Sequence, residues 1–252
     1  MLPIADAGTS SPGIDAGTSL PVADGGSSCP ASSGPRIVRS FANPMPETGF
    51  VRQWASGLAW DGESLWAVHP VGQLFRIEPA TGTARFAFAL PNDLVVRTPG
   101  LAYLDGLLYV GGGQSASPVT VVDPTGGGVV RRLEGTIGLC GLAPGGDGKL
   151  WEANTLSGQV RRVRVADGVV LAEFWWPQGS GEVLHDLAAA SGRLWAVARS
   201  TSRPGSRVVE IDAASGAALG SLPLPEANAA GLTHDGCFLW ASGDEDVYQI
   251  QW

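Results

Sequence analysis

The chain repeats itself with a long period. Five segments share one order: Gly-Leu (once Asp-Leu), a turn containing glycine, a Leu-aromatic pair, and usually an apolar-alternating run. They read GLAWDGESLWAVH from Gly57, GLAYLDGLLYVGG from Gly100, GLAPGGDGKLWEAN from Gly141, DLAAASGRLWAVAR from Asp186 and GLTHDGCFLWASG from Gly231. Their anchoring leucines, Leu58, Leu101, Leu142, Leu187 and Leu232, lie 43, 41, 45 and 45 residues apart. A unit of about 40–45 residues holds four short antiparallel strands, and such a sheet covers only its neighbours' faces, so the units must pack around a ring. The period predicts an all-β fold, a five-bladed β-propeller of four-stranded antiparallel blades. In the first unit the strands fall at about 56–60, 65–69, 73–78 and 84–90, with Asp61-Gly62 and Thr81-Gly82 as turn residues. Trp66, Tyr109, Trp151, Trp195 and Trp240 recur at one position of the second strand and are expected to pack between blades.

The fifth unit ends at Trp252 with only three strands. The segment 37–44 (IVRSFANP) resembles the fourth strands at 85–91 and 219–225, down to the terminal proline. A strand at about 36–44 is therefore expected to complete the C-terminal blade and close the ring, which removes the open edge.

Composition agrees with this class. Of 252 residues, 36 are Gly and 18 Pro, too many breakers for a helical protein, while 44% apolar residues and nine Trp supply a core. The net charge is −8 and the cations are fifteen Arg and the single Lys149, so no basic stripe exists to neutralise nucleic-acid phosphates. No apolar run is long enough to cross a bilayer, and the start Met1-Leu2-Pro3-Ile4 lacks the regions of a signal peptide.

Residues 1–35 stand apart, with no Lys, Arg or aromatic residue and a nine-residue repeat: PIADAGTSS from Pro3, PGIDAGTSL from Pro12, PVADGGSSC from Pro21. Such a segment buries too little to order itself, so it reads as a disordered acidic spacer ahead of a propeller at 36–252. It resembles spacers that follow the lipidated cysteine of bacterial surface lipoproteins. That resemblance implies a tethered extracytoplasmic domain, secreted, periplasmic or a surface lipoprotein; a monomer is expected.

Cys29, Cys140 and Cys237 cannot all pair. Cys237 lies in the A–B turn of the fifth blade and Cys29 just before the strand that completes it, at one end of the ring, so a bridge between them is geometrically allowed. Cys140 starts strand A of the third blade at the opposite mouth and is the expected free thiol.

That mouth, formed by the D–A and B–C loops, is where regularity ends. The residues before Gly/Asp-Leu are Ser56, Pro99, Cys140, His185 and Ala230, and the ends of strand B bring His69, Gly112, Glu152 with Asn154, Arg199 and Asp244. Scaffold positions are filled alike and these are not, as for a site grafted on a repeated frame. Three chemistries can be tried. Cys140 with His185 would be a nucleophilic pair. His69, Glu152 and His185 are acceptable ligands for a divalent metal, although no metal-binding spacing motif or other cofactor signature is present. Aromatic and cationic groups, Trp54, Trp175, Trp176, Arg97, Arg199 and Arg203, would bind a small molecule, glycan or peptide.

The units, such as GLAWDGESLWAVHPVGQLFRIEPATG, resemble blades of the superfamily that holds NHL-repeat, YVTN-type, gluconolactonase-like, streptogramin-lyase and plant-type glutamine cyclotransferase propellers. Five blades, terminal-strand closure and LCGLAPGGDGKLWEANTLSGQVRRV are most similar to the glutamine cyclotransferases, which place a functional Glu directly after the Leu-aromatic pair. Glu152 after Leu150-Trp151 takes that position, while Leu184-His185-Asp186-Leu187 stands where that family has Gly-Glu-Gly-Leu. Streptogramin lyases are similar through a His at the start of strand A and an acid near the end of strand B. The resemblance implies Glu152 and His185 as an acid/base pair; the rim positions read from the aligned repeats and loops add Trp54, His69, Arg97, Cys140, Asn154, Asp186, Arg199 and Asp244 as expected ligand groups. Ligand binding at this mouth is the expected function, glutaminyl cyclisation the first alternative, and metal-assisted lyase or lactonase chemistry or a protein-interaction scaffold the next.

Overall fold

A computed structural model describes residues 29–46, 55–91, 100–112, 118–136, 140–176 and 181–252. The spacer up to residue 28, Trp54 and Arg97 lie outside the described residues, and of Cys140 only the backbone is described.

The described residues form strands and turns without a helix, in five four-stranded antiparallel sheets. β1 (Arg36–Ala42) precedes the first complete blade, which is β2 (Gly57–Trp60), β3 (Leu65–Val68), β4 (Gln73–Ile77) and β5 (Ala84–Ala89). Blade 2 is β6 (Leu101–Leu104), β7 (Leu107–Val110), β8 (Val119–Val122) and β9 (Val129–Leu133). Blade 3 is β10 (Cys140–Pro144), β11 (Lys149–Asn154), β12 (Gln159–Arg164) and β13 (Val170–Trp175). Blade 4 is β14 (Glu182–Ala190), β15 (Arg193–Ser200), β16 (Ser206–Ile211) and β17 (Ala218–Leu224). Blade 5 is β18 (Gly231–His234), β19 (Leu239–Ser242) and β20 (Asp246–Gln251), completed by β1 on its outer edge. The five-bladed propeller and its closure by the N-terminal strand are therefore present.

The core is divided into five clusters, one between each pair of neighbouring blades. Trp151 and Phe174 of blade 3 meet Leu187 and Val209 of blade 4, and Trp195 and Val197 of blade 4 meet Leu232 and Tyr248 of blade 5. Strand B is apolar on consecutive positions because both of its faces are covered; β3 (Leu-Trp-Ala-Val) is buried throughout. Each buried indole removes roughly 200 Å² from water, about 5 kcal/mol of transfer free energy at 25 cal/mol per Å². The C–D turns add a second repeated contact. Gly82, Gly127 and Gly216, all at positive φ, lie against Phe41, Phe88 and Phe174 of the preceding blade, where a Cβ would come within 2.6 Å of the ring.

Closure is secured at both ends of β1. Its residues pair with β20 from Arg36↔Gln251 to Ala42↔Asp246. Gln251 Nε2 donates to the carbonyls of Pro30 and Ala31, and Asn43 Nδ2 donates to the carbonyl of Gly243 at 2.7 Å. A Cys29–Cys237 disulfide, with Cα atoms 5.1 Å apart, ties the chain ahead of β1 to the β18–β19 turn.

Strand A is the inner edge of every blade, so its outward N–H groups face the central axis without a strand to accept them. Asp186 accepts them instead. Its Oδ1 receives the N–H groups of Leu142 (3.0 Å) and Leu187 (3.0 Å), and its Oδ2 those of Leu232 (2.9 Å) and Leu58 (3.3 Å). Four of the five anchoring leucines, from blades 1, 3, 4 and 5, thus converge on one fully buried carboxyl group. Two sequence details make room for it. The other repeats carry Gly where blade 4 has Asp186, and a Cβ on Gly141 would sit 2.5 Å from the Asp186 Cα. In addition, Leu184 pairs with Ala198 and Leu187 with Ala196, so His185 and Asp186 together oppose Val197 in a β-bulge that re-aims both side chains. Burial pushes the Asp186 carboxyl well above its ordinary range, and the four N–H donors offset only part of that rise. Two donors on each oxygen suit the ionised form.

Asp186→Ala leaves buried donors without an acceptor and is expected to cost about 3 kcal/mol or more; Gly141→Ala, which overpacks the same point, costs about 1–3 kcal/mol. Both are checked as a fall in the urea midpoint at constant slope. Replacing Cys29 and Cys237 together by Ser is expected to cost about 2–5 kcal/mol, read from thermal unfolding against the wild type with and without reductant.

Candidate functional site

The D–A/B–C mouth brings some of the expected residues together and separates others. Glu152 and Leu150 lie on one face of β11, and Leu150 packs into the cluster shared with blade 2. Glu152 is fully buried and accepts from Arg161 Nε at 2.9 Å and Nη2 at 2.5 Å. Arg161 Nη2 also donates to the carbonyl of Gly135, on the blade 2 side. Glu152 therefore sits in a desolvated ion pair that joins blades 2 and 3.

His185 faces the other way. Leu184 beside it packs toward blade 3, and the imidazole lies next to Arg199, whose charge together with burial holds the imidazole pKa down to about 4. No hydrogen bond links His185 to Glu152 among the described residues. Instead His185 joins a cluster at the blade 4–5 junction. Arg199 Nη2 donates to Asn228 Oδ1 at 2.6 Å, and Asn228 Nδ2 donates to Asp244 Oδ2 at 2.8 Å. Asp244 Oδ1 is buried with no hydrogen-bond partner among the described residues. Burial lowers the Arg199 pKa and the nearby Asp244 charge raises it, so the guanidinium is half-desolvated but still charged.

The cluster is held from behind by Glu226. Its carboxylate accepts the N–H groups of Glu245 (3.1 Å) and Asp246 (2.7 Å) and the Tyr248 hydroxyl (2.7 Å), which fixes the β19–β20 turn that carries Asp244. Asn228 and Glu226 were not singled out from the sequence. Their signal was modest: both lie in the D–A connection Pro-Glu-Ala-Asn-Ala-Ala that precedes Gly231.

The remaining residues are placed as follows. Asp186 lies on the axis beneath the mouth with both oxygens taken by the strand A amides. Asn154 Oδ1 accepts the N–H groups of Leu156 and Ser157 and caps the turn after β11. His69 is fully buried at the end of β3; its Nδ1 accepts the Val71 N–H, which puts the proton on Nε2, and Nε2 has no partner among the described residues. Trp176 is buried and Trp175 exposed, while His234 lies at the opposite end, stacked on Trp195 at 5.4 Å. Among the described residues no group of three or more His, Cys, Asp or Glu side chains is disposed to share a metal ion.

Chemically, the junction offers guanidinium donors on Arg199, a neutral imidazole on His185 and, on Asp244, an acceptor oxygen that has no partner among the described residues. That set fits a ligand with an acceptor group at one point and an N–H or O–H at another.

Neither a protein-family model nor a curated protein sequence matches the chain. Solved structures do share its fold. Glutaminyl cyclase from Myxococcus xanthus superposes with a TM-score of 0.62 at 15% identity, over 86% of this chain and 95% of that one. The PQQ-bound aldose sugar dehydrogenase from Streptomyces coelicolor gives a TM-score of 0.52 at 13% identity, over 89% and 99%. At these identities the likeness is one of fold, and the first accords with the cyclotransferase-like pattern of the repeats.

All three histidines have pKa values lowered by burial. The unfolded chain takes up a proton on His185 near pH 6.5, whereas the folded chain refuses it until about pH 4. The contribution is thus full above the unfolded value and lost as pH falls from there toward the folded one. His185→Gln is expected to flatten that acid-side loss, measured as urea midpoints across the same range.

Proposed function

We propose that the protein is an extracytoplasmic binding propeller whose blade 4–5 mouth takes a small polar ligand or peptide terminus. The ligand presents a carboxylate or carbonyl to Arg199 and a donor to Asp244. The observation that carries this reading is a partly buried Arg199 near Asp244, whose buried Oδ1 has no hydrogen-bond partner among the described residues, so that a donor and an acceptor share one junction. Buried polar groups without partners are costly in a finished core and useful where a ligand will complete them. The Cys29–Cys237 disulfide supports an oxidising compartment, and the acidic spacer supports a tethered one.

The enzymatic reading, glutaminyl cyclisation, is prompted by the likeness to the Myxococcus xanthus glutaminyl cyclase structure and by Glu152 after Leu150-Trp151. The pairing of Glu152 with Arg161 weighs against it, since a buried carboxylate already neutralised by a guanidinium is poorly placed to exchange a proton with His185. Binding is therefore the preferred reading.

Calorimetric titration of the full chain with amino acids, dipeptides, uronic acids and neutral sugars is expected to give binding for members that combine the two group types. Arg199→Met and Asp244→Asn should each weaken it by at least about tenfold, the effect of one charge-assisted hydrogen bond. An N-terminal glutaminyl peptide should release no ammonia above the rate seen with Glu152→Gln.

A further inference from the structure

The opposite face of the ring carries its own unused chemistry, and the repeats show what is missing from it. In blade 1 the A–B turn holds Asp61, whose Oδ2 accepts the Trp66 indole N–H at 2.8 Å and Arg76 Nη2 at 2.6 Å, while its Oδ1 accepts turn N–H groups from Glu63 and Ser64. In blade 5 Asp235 repeats this, accepting the Trp240 indole N–H at 2.7 Å and the N–H groups of Cys237 and Phe238. An aspartate, a tryptophan N–H and, in blade 1, an arginine thus make one recurring unit.

Blade 3 keeps the donors and lacks the acid. Trp151 and Arg162 are cross-strand partners, as Trp66 and Arg76 are. The two arginines lie over their indoles at 5.8 and 4.9 Å, and the two indoles meet the phenylalanine of their own outer strand at nearly the same distance and tilt, 6.2 Å and 54° against 6.0 Å and 48°. The ring poses match, yet the position of Asp61 is taken by Gly145. The Trp151 indole N–H has no acceptor among the described residues, and Arg162 donates to the carbonyl oxygen of Gly145 in place of a carboxylate. Where the side chain is absent the surface opens into a groove of about 390 Å³, walled on its far side by Arg193 and the Ser191-Gly192 turn of blade 4.

We infer that this blade 3–4 groove is a carboxylate-binding site, filled by an external acid in the way Asp61 fills its counterpart in blade 1. The ligand carboxylate accepts from the Trp151 indole N–H and the Arg162 guanidinium; Arg193, shared with Glu210 at 2.7 Å, contributes positive potential from the other wall. Blade 4 provides the contrast. The Trp195 indole N–H also has no partner among the described residues, but it is buried within the protein, with His234 stacked on the ring face, and so is closed to an external acid. The carboxylate can come from a free organic acid or from an acidic residue of a peptide, since both present the same group. This inference does not rest on the reading of the mouth, which lies at the other end of the ring.

The test is a nitrogen-15 spectrum of the full chain, in which the Trp151 indole signal is assigned by its loss in Trp151→Phe. Acetate, succinate and a capped Gly-Asp-Gly peptide are each titrated, with acetamide as the uncharged control. The Trp151 signal should move saturably with a Kd of about 1–10 mM for acetate, the range open to one or two exposed charge-assisted hydrogen bonds, and should ignore acetamide. Tighter binding of the peptide than of succinate assigns the source to an acidic peptide, and the reverse order to a small acid. Arg162→Gln should weaken the response at least tenfold and Arg162→Lys less, whereas Arg199→Met should leave it unchanged. A Trp151 signal that stays still with every acid, that moves equally with acetamide, or that responds undiminished in Arg162→Gln overturns the proposal.

Discussion

The ring depends on what lies at its axis. Five sheets packed face to face leave five inner strands whose amide groups point towards one axis, where no further strand can accept them. A single carboxyl group, carried inward by a bulge in β14, accepts four of those amides and so adds an axial link among blades 1, 3, 4 and 5 to the side-chain clusters between neighbouring blades. The stabilisation is collective: no blade holds the carboxylate alone, and its desolvation is offset only when the ring is complete. Ring closure by β1 and axial closure by Asp186 are two parts of one cooperative assembly.

The same economy of position explains the two faces. At the mouth, the axial bulge that buries Asp186 also sets His185 beside Arg199, so the stabilising device and the candidate site share a backbone irregularity. Glu152, two strands away, belongs to a different structural unit: its pairing with Arg161 sews blade 3 to blade 2. At the opposite face, the turns that repeat an aspartate in blades 1 and 5 omit it in blade 3, and the omission leaves donors facing a groove.

Scaffold and site differ in how far the sequence discloses them, and the physics is visible in particular residues. Leu58 and its four counterparts, the strand B aromatics and the Thr-Gly or Ser-Gly turns are imposed by blade packing, so they recur and can be counted. Even the closing strand could be found, because Phe41 must meet Gly82 in the next blade as Phe88 meets Gly127. Asp186 was visible as the one break in the Gly-Leu rule, but that its carboxyl turns inward to amides from three other blades depends on a ring axis that no local pattern encodes. The Arg199–Asn228–Asp244 chain was half legible. Its charged ends fall at strand B termini, whereas Asn228 enters through the shape of a connection. The Glu152–Arg161 pair depends on the cross-strand register of β11 and β12, which spacing alone does not fix.

The Cys29–Cys237 bridge has a mechanical meaning as well as a thermodynamic one. It joins the fold ahead of β1, so a pull on the preceding spacer enters blade 5 through the sulfur atoms at the β18–β19 turn. The strand that seals the ring is thereby taken out of the line of force. With the bond intact, tension on the leader is spread over β18 and β19, whose neighbours are the inner strands and the axial carboxylate. With the bond reduced, the same tension would fall on β1 and its pairing with β20, and the propeller would open at the seam where its two ends meet.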